Sequence, residues 1–281
     1  MKKYVQLIRV KHWIKNILIF LAMICAKEIT MDNLKITLLG FLSFSFVSSF
    51  VYVINDIRDI EKDKKHPRKK KRPLPSGKIS KKSALIIAII MLLLGIGITV
   101  ITEKTISSLS LYLLLLYLTI NLLYSFGLKN KPVVDVVLLA TGFVIRVYYG
   151  GALLDIEVSN WLFLTILSAS LFFGFSKRCK EYQNSKDSRA VLKKYTENYL
   201  IRFQYIFIGL TIVFYSLWAI EQVSKFVLFS IPFLIIIIMR YMLVVETSDD
   251  GDPTTILYSN IDLLILAVLY GLYMIFSLVV V

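Results

Sequence analysis

Charge is what this 281-residue chain has least of: only 19% of its residues are charged, too few to clothe the water-facing surface of a soluble domain. The apolar share is 57% and the mean hydropathy is +0.71. What charge there is falls in short bursts, between uncharged runs long enough to cross a hydrocarbon core of about 30 Å, which takes roughly 20 helical residues. Cysteine is also scarce. Cys25 and Cys179 lie far apart, near opposite ends of candidate spans, so no disulfide framework is indicated and both read as packing residues. A small-residue cleavage site is missing after the basic N-terminal stretch (Lys2, Lys3, Arg9, Lys11, Lys15), so that stretch leads into a first span rather than a signal peptide. The short alternating segments of a transmembrane barrel are missing too, because the runs are continuous and rich in Leu, Ile and Phe on both faces.

Nine apolar runs are present, at about 12–27, 34–55, 83–102, 106–124, 132–154, 160–176, 203–221, 226–245 and 255–280. The expectation is an all-α membrane protein, a single transmembrane helical domain over 1–281. Lysine and arginine placement orients it, since such residues are retained in the cytoplasm. The stretch 57–82 holds twelve of the 33 Lys+Arg, 177–202 holds eight, and the segment up to residue 15 holds five. Lys129 and Lys131 occupy the loop after the fourth span, and the opposite side receives only Lys27, Lys35, Lys104 and Lys225. Nine spans then put the N-terminus in the cytoplasm and the C-terminus outside, with every richly polar loop on the cytoplasmic face. Loops on the outer side are too short and too poor in charge for a transporter's vestibule, which weighs against reading Asp135 and Arg146 as a substrate path across the membrane.

The sharpest cluster is Asn55-Asp56-Ile57-Arg58-Asp59-Ile60-Glu61-Lys62-Asp63, where the second span ends. On a helix Asn55, Asp59 and Asp63 recur every four residues with Asp56 beside them, so four oxygen-bearing side chains are expected on one face. Carboxylates so close repel unless a hard cation sits among them, and Mg²⁺ takes one or two carboxylates together with substrate phosphates. A solvated, mixed-charge helix end is the bland alternative. Next comes His66-Pro67-Arg68-Lys69-Lys70-Lys71-Arg72-Pro73-Leu74-Pro75-Ser76-Gly77. Its prolines end the helix, and its positive charge suits either a polyphosphate beside the metal or simply membrane orientation and anionic headgroups.

Charges inside spans cost about 2.5–3.5 kcal/mol each on insertion scales unless they find a partner or a wet cavity. Asp135 and Arg146, three helical turns apart in the fifth span, are expected to line one cavity. His12, Lys15 and Asn16 share a helical face in the first span, with Trp13 as an interface anchor, while snorkelling competes for Lys11 and Lys15. Asp262 reads either as a cap or as a partner to a neighbouring helix.

The Asn-Asp-x-x-Asp-x-x-x-Asp pattern, with Tyr124-Ser125-Phe126-Gly127-Leu128-Lys129 after the fourth span, resembles the UbiA superfamily of intramembrane prenyltransferases. Four stretches resemble its decaprenyl-phosphate phosphoribosyltransferase branch in particular: Lys11 to Asn16; Asn55 to Pro73; Lys129 to Asp135, leading to Arg146 and Gly150-Gly151; and Lys177-Arg178-Cys179-Lys180-Glu181. Arg240-Tyr241 also fits. The resemblance implies a UbiA-like bundle with a polar cavity facing the cytoplasm. Aromatic prenyltransferases of the superfamily carry a second Asp-x-x-x-Asp after the sixth span for a second Mg²⁺. Here that place is basic, and Asp135 has Leu139 four positions on rather than an acid.

The activity so implied is Mg²⁺-dependent transfer of 5-phosphoribose from phosphoribosyl diphosphate to a polyprenyl phosphate in the bilayer, releasing diphosphate. Asn55, Asp56, Asp59 and Asp63 are expected to hold the metal, with the three aspartates catalytic. Lys15, Asn16, His66, Lys69, Arg72, Tyr124, Lys129, Asp135, Arg146, Lys177, Arg178 and Glu181 are expected to bind substrates. No nucleic acid partner is expected. The alternative activity is transfer of a prenyl diphosphate to an aromatic acceptor.

Overall fold

The computed structural model describes residues 2–64, 69–103, 108–248 and 251–280. These are mostly helical, and no strand occurs among the described residues. Helix α1 (Lys2–Leu7) precedes a 3-10 helix at Val10–Phe20, which runs into α2 (Leu21–Cys25). There follow α3 (Met31–Arg58), the short α4 (Ile60–Lys64), α5 (Lys81–Glu103), α6 (Leu109–Phe126), α7 (Val134–Ala152) and α8 (Asn160–Asn184). The chain closes with α9 (Glu197–Ile220), α10 (Ser230–Thr247), α11 (Pro253–Ser259) and α12 (Ile261–Ile275). Among the described residues, 8 helices are long and apolar enough to cross a bilayer. The chain is an integral membrane protein.

Those 8 correspond to eight of the nine expected spans, and the first span departs from expectation. Instead of an α-helix over 12–27 it is an eleven-residue 3-10 helix followed by one α turn. Three residues per turn make positions i and i+3 eclipse. Trp13, Asn16 and Ile19 form one row against α3: Trp13 Nε1 donates to Ser49 Oγ at 3.0 Å and Asn16 Nδ2 to Ser45 Oγ at 2.9 Å. Ile19 enters the core beside Phe44 and Tyr149. His12 and Lys15 form a second row, and Lys11, Ile14, Ile17 and Phe20 a third, of which Ile17 is 53% exposed. The expectation that His12, Lys15 and Asn16 share a face is therefore corrected: Asn16 turns to α3, and Lys15 to Asp252 ahead of α11. The last expected span likewise divides at Asn260, between α11 and α12.

Side-chain caps set the helix starts. Thr30, Ser108, Ser159 and Thr196 each accept a backbone N–H from three residues on, at 3.2, 3.3, 3.2 and 3.2 Å, satisfying donors that lipid could not. Hydroxyls also join the helices: Ser43 Oγ of α3 donates to Gly95 O of α5 at 2.6 Å and lies 2.7 Å from Thr99 Oγ1, which lies 2.8 Å from Tyr149 Oη of α7. In a bilayer, such interhelical bonds and close packing replace the hydrophobic drive that is absent between apolar helices in lipid. Gly150 of α7 permits the closest approach, since a Cβ there would stand 1.9 Å from Ile19 O. The 3-10 segment is thus held against both α3 and α7, with its polar rows turned into the bundle.

Candidate active site

Asp56 near the end of α3 and Asp63 in α4 are each 3% exposed. Arg72 Nη1 bridges them, at 3.2 Å from Asp56 Oδ1 and 2.8 Å from Asp63 Oδ2. Arg9 also pairs with Asp56 while lying 5.1 Å over the Tyr52 ring. Asp59 goes elsewhere. Its backbone leaves helical geometry (φ −92°, ψ 11°), and its carboxylate accepts Lys129 Nζ at 2.8 and 3.0 Å. The single four-residue acidic face expected from helical spacing is thus two sets: Asp56 and Asp63 about Arg72, and Asp59 about Lys129. Arg58 fastens this end of α3 to the end of α6, its Nη1 donating to Ser125 O at 2.5 Å.

Lys69 stands between this cluster and a second one. Burial, then the positive Arg189 beside it, holds the Lys69 ammonium down to about 8, against the opposing pull of Asp63 and Glu181. In the second cluster Arg178 is fully buried, and each of its guanidinium nitrogens is engaged. Nε donates to Asp135 Oδ2 at 2.6 Å, Nη1 to Glu181 Oε2 at 2.6 Å, and Nη2 to Tyr124 Oη at 3.0 Å. Tyr195 Oη donates to Asp135 Oδ1 at 2.7 Å and accepts Val133 N–H at 2.5 Å. Burial, joined by that bond to Asp135, pushes the Tyr195 hydroxyl above its ordinary value. Arg189 Nε lies 3.0 Å from Glu181 Oε2.

A third cluster joins Lys177 to Asp252 at 2.5 Å and Lys15 to Asp252 at 3.7 Å. Deeper in the bundle, Arg146 donates through Nε to Asn16 Oδ1 at 2.7 Å, through Nη1 to Gly142 O at 2.5 Å, and through Nη2 to Tyr117 Oη at 3.2 Å. Its guanidinium lies 5.0 Å from the Phe44 ring, 4.9 Å from Tyr117 and 5.3 Å from Phe143. Asp135 and Arg146 therefore take different partners rather than one another. Asp262 pairs with Arg240 Nε at 2.6 Å. His66 lies outside the described residues.

The donor set of the first cluster fits a hard divalent cation. Among the described residues Asn55 Oδ1 is buried with no hydrogen-bond partner, and the three neighbouring carboxylates are held by cationic side chains that substrate phosphates could draw away. Among the described residues, no group of three or more His, Cys, Asp or Glu stands ready to hold a metal unaided. A cation here would complete its shell with Asn55 and substrate oxygens, which is how Mg²⁺ is commonly held.

Sequence reasoning passed over Arg9 and Asp252, whose partners lie 47 and 75 positions away. It also missed Tyr117, Tyr195, Arg189 and the α3 serines. The serines did leave a signal in Ser43, Ser45, Ser48 and Ser49, a polar stripe within a span.

The sequence matches the model of the UbiA prenyltransferase family over residues 16–278. It is 30% identical over 277 residues to the decaprenyl-phosphate phosphoribosyltransferase of Corynebacterium glutamicum, covering 94% of this chain and 82% of that one. To the Mycobacterium tuberculosis protein of the same name it is 31% identical over 266 residues, covering 90% of this chain and 86% of that one. A UbiA homolog from Archaeoglobus fulgidus, in a structure bound to GPP and Mg²⁺, superposes with a TM-score of 0.74 at 21% identity over 99% of this chain and 100% of that one. At that identity the likeness carries the fold.

Proposed function

Because the chain belongs to the UbiA prenyltransferase family, we propose that it transfers 5-phosphoribose from phosphoribosyl diphosphate to the phosphate of a polyprenyl phosphate, releasing diphosphate. The observation that carries this choice is the engagement of Arg178 by Asp135 and Glu181. Asp135 and Glu181 are thereby paired off around Arg178, so the Asn55–Asp63 cluster is left for a metal, with basic groups around it. Such a balance suits a donor and an acceptor that each bring phosphate. The relatives named as decaprenyl-phosphate phosphoribosyltransferases support the same choice.

In this reading an acceptor phosphate oxygen attacks the anomeric carbon of the donor as the bond from that carbon to diphosphate breaks, with inversion. The phosphate is already a nucleophile, so no side chain has to remove a proton. Asn55, Asp56, Asp59 and Asp63 would hold Mg²⁺. When bound, that ion neutralises charge building on the departing diphosphate. Arg72 and Lys129 restrain the carboxylates in its absence and become phosphate donors when it binds. Lys69 grips the diphosphate from the other side. Tyr124, Asp135, Arg178 and Glu181 fix α6, α7 and α8 around that space, and Asn16 holds Arg146 beneath it. The charge distribution supports a location in the plasma membrane with the N-terminus in the cytoplasm, the C-terminus outside and the site facing the cytoplasm.

The test is incubation of membranes with labelled phosphoribosyl diphosphate and polyprenyl phosphate, with Mg²⁺ or with chelator, followed by mass spectrometry of the lipid. A phosphoribosylated lipid that requires Mg²⁺ is expected. Transfer only from a prenyl diphosphate to an aromatic acceptor would replace this reading with the aromatic one.

A further inference from the structure

The Asp252 carboxylate lies between two ammonium groups: Oδ2 is 2.5 Å from Lys177 Nζ and Oδ1 is 3.7 Å from Lys15 Nζ. The Lys15, Lys177 and Asp252 side chains are 19%, 26% and 14% exposed. They come from three places far apart in sequence: the 3-10 segment, the end of α8 and the residue capping α11. The loop is seated closely on α8, since a Cβ on Gly251 would stand 2.8 Å from Lys180 Cβ and 3.1 Å from Lys177 O. Burial by itself would raise the Asp252 carboxyl, but Lys177 and then Lys15 outweigh it and hold the group well below the usual carboxylate range. The pair of lysines therefore surrounds an anion at neutral pH.

Lysine binds phosphate as a compact point charge, without the planar fork that favours arginine. One turn of 3-10 helix before Lys15, in the same row, His12 Nδ1 is buried with no partner. A neutral imidazole nitrogen can accept or donate, so beside the lysines it fits a phosphate oxygen or a neighbouring hydroxyl. Among the described residues one carboxylate, that of Asp252, is bonded to these lysines, which is enough to imitate a small anion.

We propose that Lys15 and Lys177 form a phosphate-monoester site, distinct from the Asn55–Asp63 cluster, in which the Asp252 carboxylate stands in for the substrate's phosphate and exchanges with it. This rests on the transferase reading, which brings two monoesters: the phosphate of the lipid acceptor and the 5-phosphate of the donor. On exchange Asp252 stays near, because its Oδ1 also accepts Thr254 N–H at 3.0 Å at the start of α11.

Thermal unfolding of the purified full chain in detergent, with and without inorganic phosphate, tests the site without relying on turnover. D252N is expected to unfold several degrees lower than the natural protein without phosphate, because two half-buried ammonium groups lose their counter-ion. It is expected to gain more from phosphate than the natural protein does, as ligand linkage requires, and D252N/K177Q should lose that gain. Equal gains in all three proteins would overturn the proposal. In steady-state kinetics K177Q separates the sources: a tenfold or greater rise in KM for the lipid alone assigns the site to the acceptor, and for the sugar donor alone to its 5-phosphate. Unchanged KM for both would overturn the proposal even if D252N could not be recovered folded. Failure of the natural protein to phosphoribosylate lipid would sink the transferase reading, while phosphate-dependent unfolding would still report on this site.

Discussion

Arg178 and Asp135 meet at 2.6 Å with both side chains wholly withdrawn from solvent. The next residue back on the same helix, Lys177, points to Asp252 instead. Neighbours on an α-helix lie about 100° apart, from 3.6 residues per turn, so a single step along α8 divides the buried pair with Asp135 from the half-buried pair with Asp252.

That division makes R178Q a stability variant first. Removing one partner from a buried ion pair costs about 3–5 kcal/mol, so R178Q should unfold well below the natural protein in detergent. D135N/R178Q should lose less than the sum of the single variants. An R178Q protein with its unfolding temperature intact and only a raised KM for donor would make Arg178 a phosphate ligand.

Asp59 is a contrasting case, exposed enough to be reached and, among the described residues, paired with Lys129. D59N keeps the side-chain volume and removes the charge, so it should lower turnover by about 10²–10³, the scale for losing one electrostatic contributor to a transition state, while the unfolding temperature moves little. Near-normal turnover, measured across a Mg²⁺ titration, would remove Asp59 from the metal site.

The Lys69 ammonium, held down to about 8 by burial and Arg189, is charged below that pH and loses its proton above it. KM for the diphosphate donor should therefore rise as pH climbs through about 8. In K69R the group stays charged throughout the range, so the rise should flatten. A K69R profile that still climbs with the same midpoint would point to a different titrating group.

Gly150 and Gly97 give a packing test. A Cβ at Gly150 would meet Ile19 O at 1.9 Å, whereas nothing lies within 4 Å of one at Gly97. G150A should destabilise by about 1–3 kcal/mol, the usual cost of overpacking. G97A should leave stability unchanged or raise it by up to about 1 kcal/mol, since helix propensity favours alanine. Equal unfolding temperatures for the two variants would mean that α7 and the 3-10 segment do not meet as closely as described.

Most of the architecture was legible because bilayer thickness imposes a length on every spanning run, and the acidic motif sat at the end of one. The helical period predicted Asn55 to Asp63 as one face, but could not show that the backbone turns at Asp59 or that Lys129 and Arg72 would separate its carboxylates. Arg178 read as a phosphate ligand because charge beside a membrane face attracts that reading, whereas Tyr124 and Asp135 come to it from elsewhere in the chain and Glu181 from the next turn of α8. Asp252 belongs to none of the motifs in the sequence. Its meaning depends on Lys15 and Lys177, which only tertiary packing brings to it.

The opening stretch at Val10–Phe20 winds three residues to the turn, which makes it a prism with three flat sides rather than a cylinder. One side is keyed to the serines of α3, one carries His12 and Lys15, and the last, with Ile17, suits lipid. Gaining one residue ahead of Ile14 would rotate everything beyond it by about 120°, presenting Lys15 where the serine seam waits and Ile14 where Asp252 sits. Residue count modulo three, more than hydrophobicity, is what this segment has to preserve.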